Sequence, residues 1–550
     1  MEISHIASEI KNRIQGDVSL ETQDLERAAR DTSLFYVLPS CVVYPKTQDD
    51  IQSLVRYVAS KKQEGIEISL TARAAGTCMT GGPLTTSIVM DTTKYMNHII
   101  SVDSATATAE PGVYYRDFEK ATLSHGWLMP SYPASRELAA IGGIVSNNSG
   151  GEKTLTYGKT EAYVRGLEVV FADGQTDYIT ELTEEALKKK MEEPTTSGRI
   201  HREMFELYTN NKDLITQSKP SVSKNSSGYM LWNIYNKERN TFDLSKLITG
   251  SQGTLALISK VILSGVAPKS HSRMLIMFLP STSSLGEIVP RILTHKPETL
   301  ESYDDHTFKI ALRFFKDIAK RMGGNMFTLG FKFLPEFWMA VTGGVPKIIL
   351  MAEFTGDSEE EVERTVIEAY KDMQTFGFPC KRTHSEQEAK KYWTFRRESF
   401  NLLRQKLSGY RTAPTIDDII VHPQDLPAFL PQLEALFAKY PDLIYTVAGH
   451  MGDANFHIIP LIDIHQEGIV DTLHHLMDEV YTLVFSYNGS MSGEHNDGLL
   501  RTAYIPKMFS SEIVKLFEST KDIFDPLNIL NPGKKVYGDK DFVWKHIDTK

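Results

Sequence analysis

The chain has 550 residues, which is too long for a single hydrophobic core and predicts two or three lobes. Its composition, 41% hydrophobic and 24% charged, is that of a folded globular protein, and a net charge of −10 provides no basic field for nucleic acid. Three cysteines (Cys41, Cys78 and Cys380) without a CxxC pair argue against a disulfide framework and against an iron–sulfur cluster held by this chain.

Targeting and membrane signals are weak. The opening stretch MEISHIASEIKNRIQ is charged, lacks the apolar core of a secretory signal and is typical of an amphipathic helix. Residues 331–351 are the most apolar long stretch, but lysines, a glutamate, prolines and glycines interrupt them, so they do not predict a membrane span. We expect a cytoplasmic protein with this stretch buried. Its peripheral contact with the inner face of a membrane is the alternative.

The first lobe alternates strands and helices. After an N-terminal helical extension over residues 1–37, Val42 and Val43 predict a strand, and Thr47 with Asp50 predicts a capped helix start. The helix carries an apolar stripe of Ile51, Leu54, Val55 and Val58. Further along, VRGLEVVFADGQ predicts a strand ending in an Asp-Gly hairpin, and GSQGTLALISKVILS predicts the strand that closes the lobe. The lobe therefore covers residues 38–268.

A second lobe is predicted over residues 269–520. RMLIMFLP and PKIILMAEFTG are typical of strands. SEEEVERTVIEAYKDMQTFG predicts a helix that Ser358 and Glu361 cap. Its apolar stripe consists of Val362, Val366, Ala369 and Met373.

Two glycine-rich loops in the first lobe indicate a phosphate-bearing ligand. ARAAGTCMTGG (72–82) and AAIGGIVSNNSGGEKTLTYG (139–158) each lie beside a predicted strand, and glycines there let backbone amides approach an anion. Neither loop matches the dinucleotide-binding GxGxxG pattern or the P-loop. A single loop of this kind is more often a tight turn, but two in one lobe favour a large phosphorylated cofactor.

The stretch HMGDANFHIIP (450–460) carries two histidines on either side of a predicted turn. In one regular strand, residues seven apart point to opposite faces, but the MGDAN turn lets His450 and His457 converge. SGEHNDG (492–498) supplies Glu494 beside His495. Two histidines and a carboxylate are a typical ligand set for a catalytic metal, whereas core histidines with a solvated glutamate are the alternative.

The chain resembles the FAD-dependent D-2-hydroxyacid dehydrogenase family, which includes D-lactate dehydrogenase, the flavin subunit of glycolate oxidase and D-2-hydroxyglutarate dehydrogenase. The resemblance rests on motifs that occur in the family's order through nearly the whole chain: VVYPKTQDDI, ARAAGTCMTGG, YPASRELAAIGGIVSNNSGG, YGKTEAYVRGLEVVFADG, KNSSGYML, LITGSQGTLALISKVIL, GHMGDANFH, SGEHNDG and FDPLNILNPGK.

This resemblance implies an α+β fold. The first lobe would be a two-subdomain FAD-binding domain of the vanillyl-alcohol oxidase and p-cresol methylhydroxylase type. The second would be an α+β cap with an antiparallel sheet and the metal site, followed by residues 521–550 returning to the flavin lobe. The implied FAD contacts are Arg73, Ala74, Ala75, Gly76, Thr77, Gly81, Pro133, Ser135, Gly142, Gly143, Asn147, Gly150, Tyr157, Gln252 and Asn531.

Two positions bear on how FAD is held. Relatives that attach FAD covalently have a histidine where this chain has Thr77, so the resemblance implies non-covalent FAD. Gln252 stands where an acidic residue is common in the family. The absence of that negative charge would affect the electronic properties of the flavin more than the binding of FAD.

For catalysis, the resemblance implies that His450, His457 and Glu494 hold a divalent metal, with zinc expected, and that His495 is the base that deprotonates the substrate hydroxyl. Arg396 would grip the substrate carboxylate as a planar fork, with Arg411 a weaker second candidate, and Asn455 would contact substrate or metal.

Departures from the family pattern surround the base. Ala454 replaces a glycine, which costs little if its φ is negative. Asn496-Asp497 follow the base and would add an acidic side chain beside it, which could raise the pKa of His495 or change substrate choice.

The expected activity is oxidation of a small, D-lactate-like D-2-hydroxy acid to the 2-oxo acid, with hydride transfer to FAD N5. The alternatives are a non-redox transferase of the alkyl-dihydroxyacetone-phosphate synthase kind and a zinc hydrolase that uses the same two histidines and glutamate. Electrons would leave through a quinone, an electron-transfer protein or an iron–sulfur partner. The substrate and the oligomeric state stay open.

Overall fold

The structure is a computed structural model that describes residues 3–305, 346–390, 392, 393, 396 and 410–549. Helices and strands are numbered below in chain order over those residues. Two larger sheets, one small three-stranded sheet and their helices form the first lobe, and one large antiparallel sheet forms the centre of the second lobe.

The first sheet has the strand order β1-β2-β4-β3. Its strands are β1 (Asp17–Ser19), β2 (Cys41–Tyr44), β3 (Leu70–Arg73) and β4 (Ile88–Asp91). β2 and β3 run parallel to β4, because the helix α3 (Gln48–Gln63) makes the crossover between β2 and β3. The predicted stripe of α3 is buried, and Thr47 accepts the amide hydrogen of Asp50 at 3.2 Å. The predicted strand–helix–strand order is confirmed.

The N-terminal extension is only partly helical, contrary to expectation. It contains α1 (Ile3–Lys11) and α2 (Thr22–Ala28), but the strand β1 between them pairs antiparallel with β2. The physical reason is that β2 would otherwise leave a row of backbone donors and acceptors unpaired at the sheet edge.

The second sheet is antiparallel, in the order β5-β6-β12-β7-β8. Its strands are β5 (Ile99–Val102), β6 (Thr106–Ala109), β7 (Val164–Val170), β8 (Thr176–Ile179) and β12 (Leu257–Ser264). The short strands β9 (Leu182–Thr183), β10 (Tyr235–Asn236) and β11 (Thr241–Phe242) form a separate ribbon. The helices of this part are α4 (Tyr115–Leu123), α5 (Ile141–Asn147), α6 (Thr154–Tyr157), α7 (Glu184–Glu192), α8 (Thr196–Asn210), α9 (Lys212–Gln217) and α10 (Ser245–Ile248).

The cap sheet has eight strands, in the order β16-β13-β15-β14-β19-β20-β17 with β18 also paired to β20. They are β13 (His271–Leu279), β14 (Thr299–Asp304), β15 (Ile348–Gly356), β16 (Cys380–Arg382), β17 (Arg411–Thr412), β18 (Ile419–Ile420), β19 (Ile444–His450) and β20 (Asn455–Ile462). Helices α11 (Leu285–Leu293), α12 (Glu359–Gln374), α13 (Leu426–Phe437) and α14 (Ile469–Ser486) accompany the sheet. The stripe predicted for α12 is buried.

After α14 the chain returns to the first lobe through α15 (Gly498–Thr502), α16 (Ile505–Met508), α17 (Ser511–Phe524) and α18 (Lys540–Lys545). Leu530 pairs with Leu70, and Ile547 pairs with Phe35. The return begins before residue 521, because the amide of Leu500 already donates to the carbonyl of Thr80 at 3.1 Å.

Among the helices of the described chain, none is both long and apolar enough to cross a membrane. Most of the apolar stretch 331–351, with its predicted burial or membrane contact, lies outside the described residues.

Glu353 on β15 lies among other charged groups where the two lobes meet. Burial, together with the negative charge of Glu298, raises the pKa of Glu353 to about 7, while Lys153 opposes the shift. The folded chain therefore binds this proton more tightly than the unfolded chain. The resulting stabilisation is complete below pH 4.5, falls as the pH rises towards 7 and is lost above it.

We predict that Glu353→Gln raises the melting temperature at pH 8 relative to the wild type, with a smaller gain at pH 5. Thermal unfolding over this pH range is the measurement. Glu360→Gln on the exposed face of α12 is the control and should leave the pH dependence unchanged. A Glu353→Gln protein with the wild-type pH profile would contradict the prediction.

Candidate functional site

Two predicted site histidines converge at the β19–β20 hairpin. β19 ends at His450 and β20 begins at Asn455, and in the hairpin register Ala448 lies opposite His457. The imidazole centroids of His450 and His457 are 5.1 Å apart, with the rings nearly perpendicular. The predicted convergence is confirmed, because the turn changes the strand parity that would otherwise send the two rings to opposite faces.

Ala454 in this turn differs from expectation. It is fully buried and adopts a left-handed conformation with φ of +51°, not the negative φ that would make an alanine inexpensive. For a residue with a Cβ this conformation costs on the order of 1 kcal/mol. The tight turn demands it because only one residue separates the 3₁₀ turn at Met451–Asp453 from β20.

The carboxylate of Asp418 fastens the loop containing Glu494 and His495 to this hairpin. One oxygen accepts the backbone amides of Glu494 at 2.9 Å and His495 at 2.7 Å, and also the hydroxyl of Ser492. The other accepts the side-chain amide of Asn455 at 3.0 Å. Asn455 is thus a buried support for Asp418 and does not line the cavity described below.

Asp417, the preceding residue, holds two imidazoles at once. One oxygen lies 2.9 Å from Nδ1 of His457, and the other contacts Nδ1 of His495. The two rings stack at 19° with centroids 4.9 Å apart, so each presents Nε2 away from Asp417. Burial alone would lower the pKa of His495, but the charges of Asp417 and Asp418 outweigh it and raise that pKa to about 9.

His450 is held in the same way by a different carboxylate. Glu301 on β14 lies opposite His450 in the sheet register, and Oε1 of Glu301 is 2.7 Å from Nδ1 of His450. Nε2 of His450 is 3.3 Å from Glu494, which also contacts the buried Lys224. Burial opposes protonation of His450, yet the charges of Glu301 and Glu494 raise its pKa to about 9. Glu301 also pairs with Arg396.

One cavity of about 610 Å³ joins the glycine loops of the first lobe to these histidines in the cap. This volume is in the range of roughly 300–1,000 Å³ typical of small-molecule and cofactor sites. The predicted residues that line it are Arg73, Ala74, Ala75, Gly76, Thr77, Pro133, Ser135, Gly142, Gly143, Asn147, Gly150, Gln252, Arg396, His450, His457, Glu494 and His495.

The glycine at position 76 is required by the shape of its loop. Gly76 has φ of +71°, and a Cβ there would come within 2.1 Å of the Arg73 guanidinium. The bare backbone therefore closes over Arg73 at the cavity wall, which brings amides and a cation to one surface, as an anion site requires.

Three predicted FAD contacts lie behind the cavity wall instead of on it. Gly81 donates its amide to Asp31 at 3.0 Å, and Asn531 donates to the carbonyls of Gly82 and Gln252. Tyr157 donates its hydroxyl to Glu298 at 2.9 Å, at the contact with the cap. Arg411, the weaker carboxylate candidate, pairs with Asp548 and does not line the cavity either.

Comparison with known proteins agrees with this two-lobe arrangement. The C-terminal domain family of FAD linked oxidases matches residues 268–535, and an FAD binding domain family matches residues 39–177. The chain belongs to the FAD-linked oxidases. The C-terminal match begins in the connection between β12 and β13, where the first lobe ends, whereas the FAD-binding match ends within β8.

Relatives of this FAD-linked oxidase span the length of the chain. It is 25% identical over 530 residues to D-2-hydroxyglutarate dehydrogenase of Escherichia coli, covering 94% of this chain and 50% of that protein. It is 26% identical over 522 residues to the glycolate oxidase subunit GlcD of Bacillus subtilis, covering 92% and 90%. The chain thus spans about half the length of the first of these relatives.

The fold is that of p-cresol methylhydroxylase. The crystal structure of that enzyme with substrate bound superposes with a TM-score of 0.67 at 14% identity, covering 97% of this chain and 96% of the other. The expected fold, a two-part FAD-binding lobe with an antiparallel cap, is therefore confirmed.

The histidine cluster in the cap is chemically suited to a cation. Single ligand atoms of Asp418, His457, Glu494 and His495 lie within 4.8 Å of one another. Asp418 is the poorest donor of these, because its oxygens already accept backbone and side-chain hydrogens. His457 and His495 are better prepared, since Asp417 fixes Nδ1 of each ring and leaves Nε2 for a metal. His450, expected as a ligand, does not belong to this group, although Glu301 fixes its Nδ1 in the same way and its Nε2 lies 3.3 Å from Glu494.

The charges of the cluster also suit a divalent ion. Five buried carboxylates surround the histidines, three cations contact these carboxylates or their backbone, and a fourth cation, Lys159, donates to the carbonyl of Gly493 beside Glu494, so one negative charge is unbalanced among these groups when the imidazoles are neutral. The carboxylates belong to Glu301, Asp417, Asp418, Asp453 and Glu494, and the first three cations to Lys224, Arg396 and Arg501.

Asp497 does not have the position expected for it beside the base. It is fully buried, and its carboxylate accepts from Nζ of Lys535 at 2.9 Å and from the amide of Gly228 at 2.9 Å. The acidic groups that raise the pKa of His495 are Asp417, Asp418 and Glu494. Asp497, which pairs with Lys535, is not among the largest contributions to this pKa.

The sequence interpretation missed the carboxylates that orient the histidines. Asp417 and Asp418 lie in TIDDII, and Glu301 lies in the strand TLESYD. The available signal was the placement of acidic residues inside strand-forming, otherwise apolar stretches, where an unpaired charge is costly. Neither stretch revealed which histidine it would contact.

We predict that Asp417→Asn weakens zinc binding by roughly 10–100-fold, the usual effect of removing an outer carboxylate behind a metal-bound histidine. Competition with a fluorescent chelator measures the affinity. Asp478→Asn, at an ion pair with Lys507 and Lys540 outside the cavity, is the control. Equal zinc affinity in both variants and the wild type would show that Asp417 does not orient a metal ligand.

Proposed function

We propose that this FAD-linked oxidase converts a small D-2-hydroxy acid to the 2-oxo acid, with FAD and a divalent cation, preferably zinc, as cofactors. The observation that carries the proposal is the single cavity lined both by the glycine loops and by the imidazole cluster. A flavin along the loops would share that cavity with a substrate at the cluster. The names of the relatives, which include enzymes acting on D-2-hydroxyglutarate, support the substrate class.

In this proposal His450, His457 and Glu494 hold the cation, and the glycine loops hold FAD without a covalent bond, since Thr77 has no nitrogen nucleophile. When bound, FAD supplies the acceptor for the hydride from C2, and the cation supplies the Lewis acid that acidifies the substrate hydroxyl. A hydrolase using the same cation would leave the loop half of the cavity without a role.

His495 is the proposed base. Asp417 fixes the Nδ1–H of His495, so Nε2 is the atom that accepts the hydroxyl proton, and the same carboxylate stabilises the imidazolium that results. A pKa of about 9 would keep this ring protonated at neutral pH. With a divalent cation at Glu494, the added positive charge would lower that pKa and favour the neutral imidazole that a base requires.

Arg396 is the proposed clamp for the substrate carboxylate. It lines the cavity, and its Nε has no acceptor among the described residues. An arginine fork matches the two oxygens of a carboxylate. The electron acceptor of the reduced enzyme would be a quinone, an electron-transfer protein or an iron–sulfur partner.

The main test is anaerobic mixing of the yellow protein with D-lactate, glycolate, D-2-hydroxyglutarate or D-malate while flavin absorbance is followed. We predict bleaching by at least one D-acid and release of all the colour on acid precipitation.

His495→Asn should slow the limiting rate by roughly a hundred- to ten-thousand-fold with little change in substrate affinity. Arg396→Met should weaken the affinity for every 2-hydroxy acid.

If His495→Asn changed only the apparent dissociation constant and Arg396→Met only the limiting rate, the two roles would be reversed. A protein that stays colourless with added FAD would exclude the proposed function altogether.

A separate prediction concerns proton release. His450 and His495 are protonated at pH 7.5 when their pKa values are about 9. Cation binding requires a neutral imidazole at His450 and disfavours the charge on His495. Zinc binding should therefore release protons, measured by calorimetry in buffers of different ionisation enthalpy, and fewer in His495→Asn. Heats that do not depend on the buffer would contradict this charge balance.

A further inference from the structure

Residues 28–36 lie behind the cavity wall and contribute Thr32 to it, although they precede the matched FAD-binding domain. Thr32 lines the cavity. Its amide donates to the carbonyl of Cys78 at 2.9 Å, and its hydroxyl donates to the carbonyl of Thr77 at 3.0 Å. Asp31 accepts the amide of Gly81 at 3.0 Å. The glycine loop 73–82 is therefore held from behind by this segment.

The same segment positions Arg73. The guanidinium of Arg73 donates to the carbonyl of Arg30 at 2.7 Å and to that of Ala28 at 3.4 Å. These bonds fix the guanidinium at the cavity wall, where Asp31 and Asp91 lie close enough to interact with its charge. Both the shape and the charge of the loop thus depend on residues 28–32.

Residues 546–548 anchor this segment in turn. The amide of Tyr36 donates to the carbonyl of His546 at 2.8 Å, and the amide of Asp548 donates to the carbonyl of Leu34 at 2.9 Å. Phe35 and Ile547 form an antiparallel bridge between these two bonds. The contact is thus a short two-stranded pairing that lies outside both matched domains.

The carboxylate of Asp548 connects this pairing to the cap. It is 5% exposed and accepts from Nε of Arg30 at 2.8 Å and from Nη2 of Arg411 at 3.1 Å. Arg411 also donates to the backbone carbonyl of Asp548. Arg411 belongs to β17, which pairs with β20, the strand that carries His457. Asp548 therefore connects the segment behind the glycine loop to β20, the strand that carries His457.

We propose that Asp548 acts as a latch that preorganises the FAD loop, so that FAD affinity depends on an Arg30–Asp548–Arg411 contact that does not line the cofactor cavity. The inference rests on FAD lying along residues 73–82, as in the proposed function. A loop with three glycines loses much conformational entropy when it is ordered, and an anchored wall lowers that cost before the cofactor arrives. A largely buried carboxylate between two guanidinium groups is a suitable anchor, since charge-assisted bonds are the stronger ones.

The test uses Asp548→Asn and Arg411→Met, with Arg291→Met as the matched control. Arg291 forms a bidentate ion pair with Asp372 in the cap, with both hydrogen bonds at 2.8 Å, and does not line the cavity. Amide hydrogen exchange of residues 73–82 is measured in FAD-free protein, and the FAD dissociation constant is measured by flavin fluorescence. Neither readout requires a 2-hydroxy acid, so both are valid even if the protein oxidises none.

We expect faster exchange in the loop and an FAD dissociation constant raised about tenfold in Asp548→Asn and Arg411→Met, with no change in Arg291→Met. Thr32→Val, which keeps its shape and backbone amide but loses the hydroxyl, should raise the dissociation constant several-fold by acting on the loop directly. Unchanged loop exchange in both latch variants would overturn the proposal. An equal change in Arg291→Met would overturn it too, because the effect would then be a general loosening of the cap.

Discussion

The need to compensate buried charge governs the centre of this protein. Asp417 and Asp418 are both fully buried, and a buried carboxylate that loses its partner costs about 3–5 kcal/mol. Asp418 is compensated by backbone amides of the loop that carries Glu494 and His495, and Asp417 by two imidazoles. The hairpin, the loop and the orientation of the histidines therefore form one unit, in which no member can move without exposing a charge to an apolar interior.

That unit is also fixed to the first lobe, which keeps the two halves of the cavity in register. The side chain of Asn496 donates to the carbonyl of Asn147, the last residue of α5, at 3.1 Å and to that of Gly250 at 2.9 Å, both in the first lobe. Asn147 in turn donates to the carbonyl of Glu494 at 3.3 Å. A Cβ at Gly150 would come within 3.2 Å of the Glu494 carboxylate. A two-electron transfer between a flavin and a substrate at the cluster would need such a fixed separation.

The elements of the fold were predictable because their signals are local. The helix that Thr47 caps and the helix that Ser358 caps each show a 3.6-residue apolar period, which the structure confirms. The meeting of His450 and His457 was predictable because a single turn separates them.

The partners of the site residues were not predictable, because they are remote in sequence. Glu301 meets His450 across 149 residues, and this contact exists only in the register of the assembled sheet. The position of Asp497 was not predictable for the same reason. Its partner Lys535 belongs to the segment that returns to the first lobe. Sequence patterns report burial and periodicity, whereas a charge pair between distant segments leaves no periodic trace.

The position of Glu301 links the two chemical tasks of the proposed reaction. Its two oxygens serve different partners, Oε1 facing Nδ1 of His450 and Oε2 facing Arg396. A substrate carboxylate at Arg396 would share the guanidinium with Glu301 and leave more negative charge for His450. A carboxylate behind an imidazole increases the basicity of its Nε2 and thereby its strength as a metal ligand. In the proposed reaction, substrate binding would then strengthen the binding of the cation through Glu301.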